Sequence, residues 1–275
     1  VFQEGFIGSA WASAMGISTV PLVELYERAE AIVAERGGSV ALGTSAKAIA
    51  YDGTRVTGVV TEHGFEPAAF VVSAVPADRL DKLASDTLKQ ADRRLRSLDA
   101  IKPSPILGVH LKFEAPVFHY PHAVLVDRLS QWMFARGEAT GKLQGHYYQV
   151  VISASRGLRG EDQKEIIAQV VAELGEIWPA ARVAKLLHSR VVTEHNAVFA
   201  VQPGADAMRP AQATPVANLF LAGDWTQTGW PATMEGAVRS GYLAAEAFLR
   251  RQGEKVSLVQ PDLPVSWWSR VLLGI

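Results

Sequence analysis

LFLAGDWTQTGWPATMEGAVRSG, residues Leu219 to Gly241, is the stretch whose reading decides the fold. Asn218 to Ala222 is a short apolar run of strand character, and Gly223-Asp224 ends it with a turn pair at the strand's C-terminal edge. An acidic side chain is therefore presented at a sheet edge. Past a loop holding Thr226, Thr228, Gly229 and Pro231, the residues from Thr233 to Arg251 read as a helix, with Thr233 as its N-cap and Gly253 as its stop. Gly236 and Gly241 inside that helix each cost about 1 kcal/mol against alanine. Close approach of a ligand or of another backbone is the expected reason for them. The N–H groups and positive dipole end at the helix start suit an electron-rich oxygen. An ordinary strand-loop-helix connection with no ligand stays open as the alternative.

Composition bounds the rest. At 275 residues, 48% hydrophobic and 20% charged, the chain can bury a full core in one large or two smaller domains. A net charge of -1 without long basic runs gives no support for nucleic acid as a partner. The cluster Arg93-Arg94-Leu95-Arg96 is expected to coat a solvated helix face. The absence of cysteine excludes disulfides, thiolate catalysis and cysteine-ligated metal. Seven histidines without a ligand spacing give no expectation of a metal.

The two ends carry separate messages. Val1 to Phe6 has neither the basic start nor the apolar core of a signal peptide, and no run reaches the roughly 18 apolar residues needed to cross a bilayer. At the other end Val265 to Ile275, VSWWSRVLLGI, places two tryptophans, one arginine and an apolar tip on a short tail. Peripheral contact with a membrane surface and packing into a groove of its own domain both stay open for it.

Along the chain, Pro21 to Arg36 has helical apolar spacing, closed by Gly37-Gly38. Val40 to Leu42, Ala46 to Tyr51 and Arg55 to Thr61 read as strands, with Asp52-Gly53 a hairpin turn between the last two. Ala68 to Val75 is a continuous apolar run expected to be a buried parallel strand, ended by Pro76. Pro76 to Leu83 and Thr87 to Leu98 are helical in composition. Pro105 to Phe113, Ala123 to Val126, Gln131 to Phe134, Gly145 to Ser153 and Arg190 to Val201 are strand candidates, and Glu161 to Trp178 has helical periodicity. Pattern changes near residues 100 and 215 imply a discontinuous domain.

These residues support a named resemblance. Leu221-Ala-Gly-Asp224 followed by Met234-Glu-Gly-Ala-Val-Arg-Ser-Gly241 resembles the C-terminal flavin motif of the amine oxidase and phytoene desaturase superfamily. The block from Gly38 to Pro76, with Asp52 to Gly58 and Val71 to Pro76, is similar to the same superfamily's mid-chain region. The version with Gly223 to Thr226 and Thr228 to Thr233, plus Gln131 to Phe134 and Ile152 to Arg156, most resembles the squalene-associated desaturase-like branch, the hydroxysqualene dehydroxylases. His195-Asn196 stands where that branch leads us to expect a Lys-Arg pair, and Ala135 where we expect Asp.

The resemblance implies an α/β (α+β) fold. It comprises an FAD-binding domain of the amine oxidase type without its N-terminal Rossmann strand-turn-helix, and an inserted mixed or antiparallel sheet that binds substrate. The implied division is 1–100 as part of the FAD domain with a helical substrate-domain segment at its start, 101–215 for the substrate domain of sheet plus helices, 216–252 for the return to the FAD domain and 253–275 for a tail. Asp224 would bond the ribityl and pyrophosphate region of FAD, with Gly223 allowing close approach. Met234 and Glu235 would point N–H groups at the flavin pyrimidine carbonyl. The backbone at Ala46 would face adenine, Val75 would pass near the dinucleotide, and Trp225, Pro231 and Gly236 complete the cofactor-binding set. Gly5-Phe-Ile-Gly8 lacks the spacing of a phosphate-binding glycine turn, so the chain is expected to be a C-terminal portion that holds FAD weakly by itself.

The implied reaction delivers a hydride from reduced flavin to the carbon of hydroxysqualene that loses its hydroxyl, within a cytoplasmic protein at most peripheral to the inner face of the membrane. Trp132, Met133, Phe134, Tyr147, Tyr148, Phe118 and Phe199 are candidates to line an apolar isoprenoid tunnel, with simple core packing as the alternative. No catalytic residue is assigned. A carotenoid desaturase, an amine oxidase and a non-catalytic remnant are the rival readings.

Overall fold

The computed structural model describes residues 14–139, 145–262, 264–265 and 267–274. The opening segment, including Gly5 to Gly8, lies outside them. A 3-10 turn at Leu22–Tyr26 and α1 (Ala29–Glu35) share the predicted Pro21–Arg36 helix, split by a turn at residues 27–28, and Gly37 closes it at φ 79°. Val40 to Leu42 forms no strand, which corrects that expectation. The run is three residues between glycine turns, and Leu42 is left exposed with no partner strand among the described residues.

Next come β1 (Ala46–Tyr51), β2 (Val56–Thr61) and β3 (Gly64–Pro67), an antiparallel meander. Its first turn forms as the sequence predicts. Asp52 Oδ1 accepts the N–H groups of Thr54 (2.8 Å) and Arg55 (2.9 Å), and Gly53 takes φ 101°. Those bonds, led by the one from Arg55, hold the Asp52 carboxyl below its usual pKa. β3 escaped pattern reading because a glycine and a proline bound its four residues.

β4 (Val71–Ser73) is much shorter than the predicted Ala68–Val75 strand and is not fully buried, since Val72 lies half exposed. Pro76 then opens α2 (Ala77–Leu83), followed by α3 (Asp86–Ala91) and a 3-10 helix at Arg93–Ala100. The basic cluster there is not simply solvated. Arg94 clamps the buried carboxylate of Asp92 at 2.6 Å and donates to the carbonyls of Ala211 (3.2 Å) and Ala213 (3.0 Å).

The second half of the fold is one antiparallel sheet and its helix. The strands are β5 (Pro103–Phe113), β6 (His122–Val124), β7 (Trp132–Ala139) and β8 (Gly145–Ser153). The helices α4 (Gln163–Ile177) and α5 (Ala180–Val183) lead into β9 (Leu186–Phe199). The sheet order is β6-β7-β8-β5-β9. Alternation along β5 sends Leu107, Val109, Leu111 and Phe113 into a core with Val150, Ile152 and Met133, which α4 caps with Ile166, Val170 and Leu174. Each such side chain contributes about 1.5–3 kcal/mol on burial. The opposite face carries Trp132, Phe134, His110 and Tyr147, none of them fully buried.

The chain then returns through α6 (Ala205–Met208) to β10 (Leu219–Leu221), α7 (Met234–Arg251) and α8 (Trp267–Leu273). β10 pairs with β4 in parallel, in register Leu219 to Val71 through Leu221 to Ser73. A second core joins Ile49, Val56, Leu80, Leu88, Leu95 and Leu98 to Leu219, Leu221 and Trp225. Residues more than a hundred positions apart thus share one interior.

Asn218 locks this junction. Its buried amide accepts the Val56 N–H at 2.9 Å and donates to the carbonyls of Val56 (2.7 Å) and Ala69 (2.8 Å), tying β10 to the meander. Truncation strands the buried Val56 N–H and removes the amide donor from the Val56 and Ala69 carbonyls. Asn218→Ala is expected to cost roughly 2–4 kcal/mol, read as a lower urea midpoint with an unchanged slope.

Candidate functional site

The site is built where β10 ends. Gly223 takes φ 118°, and a Cβ there would lie 2.5 Å from the Trp225 indole nitrogen, so only glycine fits. The turn folds Trp225 beneath itself to 3% exposure, and its indole N–H donates to the Val75 carbonyl at 3.0 Å. The Gly223 N–H donates to Ser240 Oγ at 2.7 Å, which fastens the strand end to α7. Asp224 is left part-buried at the strand's C-terminal edge. It opens on a groove of about 90 Å³ whose walls include Pro76, Asn196, Phe199 and Trp225.

Arg209 holds the loop in shape. Its buried guanidinium donates to the Thr226 carbonyl (2.8 Å), the Asp224 carbonyl (2.9 Å), Thr228 Oγ1 (2.7 Å) and Asp206 Oδ1 (2.9 Å). It also stacks 5.2 Å over the Phe199 ring. Nothing in the local pattern around Arg209-Pro210 marks a side chain whose loop partners Asp224, Thr226 and Thr228 lie 15 to 19 residues on.

The helix start is ordered by its own cap. Thr233 Oγ1 accepts the Gly236 N–H at 3.1 Å, as the sequence predicts for an N-cap. Among the described residues no acceptor takes the N–H of Met234 or Glu235. Two donors at the positive end of an 18-residue helix are left for a partner. A Cβ at Gly236 would meet the Pro231 carbonyl at 2.6 Å, so another backbone explains that glycine, while Gly241 faces open space.

The predicted positions therefore sort into groups. Val75, Gly223, Asp224 and Trp225 form one unit at the strand end, with Trp225 serving the core as well as the groove. Pro231, Met234, Glu235 and Gly236 form another around the helix cap. Ala46 begins β1, exposed, and does not line the groove. His195 is exposed, whereas Asn196 bonds Asp78 at 3.1 Å across the groove wall.

A family model for flavin containing amine oxidoreductases matches residues 2–249. The chain belongs to that flavin-containing oxidoreductase family. It is 29% identical to a 15-cis-phytoene desaturase of Synechococcus elongatus, covering 81% of this chain and 50% of the relative. It is 31% identical to a hydroxysqualene dehydroxylase of Rhodopseudomonas palustris, covering 85% of this chain and 51% of the relative. The fold is similar to that of an oxidoreductase from Methanosarcina mazei, with TM-score 0.59 and 18% identity over 77% of this chain and 50% of that one. The chain spans about half the length of the curated relatives it matches.

The residues present fit a flavin nucleotide. An acceptor carboxylate at the strand edge suits the hydroxyls of a ribityl chain or ribose, and two unclaimed N–H groups suit a carbonyl that gains negative charge on reduction. Among the described residues no group of His, Asp and Glu is arranged to hold a metal ion. No described helix is long and apolar enough to cross a membrane.

Burial raises the Asp224 pKa above that of a free aspartate, outweighing the hydrogen bond from the Trp225 N–H and the charge of Arg209. The folded state therefore keeps a proton that the unfolded chain has released, and stability falls as pH climbs from the unfolded value toward the raised one. Asp224→Asn removes that penalty. The variant should gain stability over the parent as pH rises to neutrality and lose the advantage in acid, read from denaturation midpoints at several pH values.

Proposed function

We propose that this chain is the flavin-gripping and substrate-binding portion of an FAD-dependent oxidoreductase acting on a long isoprenoid. The reaction we assign is reductive dehydroxylation of hydroxysqualene to squalene. The observation that carries the flavin reading is the pair of unclaimed N–H groups at Met234 and Glu235, at the start of the helix that Ser240 fastens to the Gly223 turn presenting Asp224. The similarity to a hydroxysqualene dehydroxylase supports the substrate. Desaturation of a carotenoid precursor is the second reading, favoured by comparable similarity to a 15-cis-phytoene desaturase.

Bound FAD supplies the hydride chemistry. The chain's own residues supply grip and electrostatics. Asp224 accepts hydrogen bonds from sugar or ribityl hydroxyls, the Val75-Pro76 backbone borders the groove, and the start of α7 stabilises charge on a flavin carbonyl. Arg209 does not reach the cofactor in this assignment. It keeps the Asp224 and Thr226 carbonyls turned so that the loop holds its shape.

The open face of the five-stranded sheet is assigned to the isoprenoid. Of the tunnel candidates, Met133, Tyr148 and Phe118 pack into the core under α4, and Phe199 belongs to the groove wall beside Asp224. Trp132, Phe134 and Tyr147 remain for the open face. Trp132 and Phe134 stack at 5.7 Å, nearly parallel, and the Tyr147 hydroxyl meets His110 Nδ1 at 2.6 Å. The Trp132-Phe134 pair offers a flat wall to a long hydrocarbon, and the His110-Tyr147 pair, with Gln149 and Arg190 across from His110, offers polar contacts to its hydroxyl.

Two measurements test this. Met234→Pro removes one of the free N–H groups at the first helical position, where proline is tolerated, and Thr233 already has the extended backbone that proline demands of its predecessor. FAD affinity should fall by about tenfold, the worth of one charge-assisted hydrogen bond, with thermal stability of the flavin-free protein unchanged. Incubating hydroxysqualene with FAD-loaded, chemically pre-reduced protein, and phytoene or a primary amine with the oxidised form, should give squalene and water from the first and no turnover of the other two. Turnover of phytoene or of the amine instead would replace the substrate assignment without touching the flavin site.

A further inference from the structure

The C-terminal segment after Gly253 runs back along α7 as a strap. Glu246 on α7 accepts the N–H groups of Leu258 (2.6 Å) and Val259 (3.0 Å). Those bonds, led by the one from Val259, hold its carboxyl below the usual range. Nearer the start of α7, Arg239 donates to Asp262 Oδ1 at 2.6 Å, and the Trp230 indole N–H reaches the same oxygen at 3.4 Å. Arg239 lies 5.2 Å over the Trp230 ring. The strap is thus antiparallel to α7, and it delivers the chain to the Trp230-Pro231 loop that precedes the unclaimed N–H groups.

What it delivers is α8. Trp267 and Trp268 meet edge to face at 4.5 Å, yet they are 64% and 62% exposed, and Val271 and Leu272 are 57% and 66% exposed. From Leu263 to Ile275 the sequence holds no acidic residue, and its one charge is Arg270. Large exposed apolar side chains on a short tail are costly in water. Tryptophan, with an apolar ring and an N–H, is the side chain that settles at the boundary between headgroups and acyl chains, and an arginine beside it reaches lipid phosphates. A seven-residue helix rises about 10 Å against a hydrocarbon core of about 30 Å, so it lies in the interface and does not span.

We propose that α8 is an interfacial anchor for a bilayer carrying anionic lipid, and that the strap holds the Trp230-Pro231 loop against that surface. The inference needs neither the flavin nor the substrate assignment. A protein–protein contact with a second copy is the competing occupant, and a polar rim would be expected around such a patch. Among the described residues α8 offers Arg270 alone.

The test uses the full chain and sedimentation with vesicles of phosphatidylcholine, with and without phosphatidylglycerol. The chain should bind both and prefer the anionic ones. Trp267→Ser with Trp268→Ser should weaken binding by at least about tenfold, and Arg270→Ala should abolish only the anionic preference. Vesicles should also slow hydrogen exchange at residues 229–236, and Asp262→Ala should remove that protection while leaving sedimentation intact. Vesicle binding that is absent or indifferent to the tryptophans overturns the anchor. A dimer that the double-serine variant dissolves, without vesicle binding, overturns it in favour of a second copy. Protection that survives Asp262→Ala overturns the role of the strap. FAD content plays no part in these readouts, so they fail or succeed separately from the proposed reaction.

Discussion

Everything in the site depends on the backbone at Gly223. Its positive φ reverses the chain at the end of β10, so that Asp224 faces the groove while Trp225 tucks under the turn. The same residue gives its N–H to Ser240 on α7 and its carbonyl to both the N–H and the hydroxyl of Thr226. One left-handed residue thus couples strand, loop and helix. A side chain at this position would collide with the indole that anchors the turn to Val75, and strand and helix would lose their common reference.

Around that turn the protein uses buried polar side chains as fasteners. Asn218 joins β10 to the meander, Arg209 gathers the loop carbonyls, and Arg94 secures the 211–213 segment beside β10. Each is satisfied by several partners, which is what makes burial of an amide or a guanidinium tolerable. Such fasteners specify one arrangement where apolar packing alone would accept several. Loop shape therefore rests on hydrogen bonds between distant segments, and helix placement on the two cores.

The five-stranded sheet follows a different logic. Its alternation divides neighbouring large side chains between two environments, so Met133 enters the core while Trp132 and Phe134 stand on the other face. Adjacent residues in sequence thus serve opposite purposes, one stabilising the domain and the other shaping a surface. The strap applies the same economy at the C-terminus, where Asp262 and Glu246 place a segment with no strand or helix of its own along α7.

The sequence by itself determined the local elements wherever a short-range pattern dictates backbone conformation. The Asp52-Gly53 hairpin, the Thr233 cap, the Gly253 stop and the strand-turn-helix order around Asp224 all rest on neighbours within a few residues. It did not determine the extent of β4, the irregular backbone at Val40 to Leu42 or the engagement of Arg94, because each depends on what lies alongside in space. Only the tertiary structure decided that Gly236 serves the Pro231 carbonyl, that Trp225 serves the core and that Arg209 organises the loop. Hydrogen bonds and packing between residues far apart in the chain leave no periodic trace in the sequence, so the fastening of the site became visible only once the fold had brought its parts together.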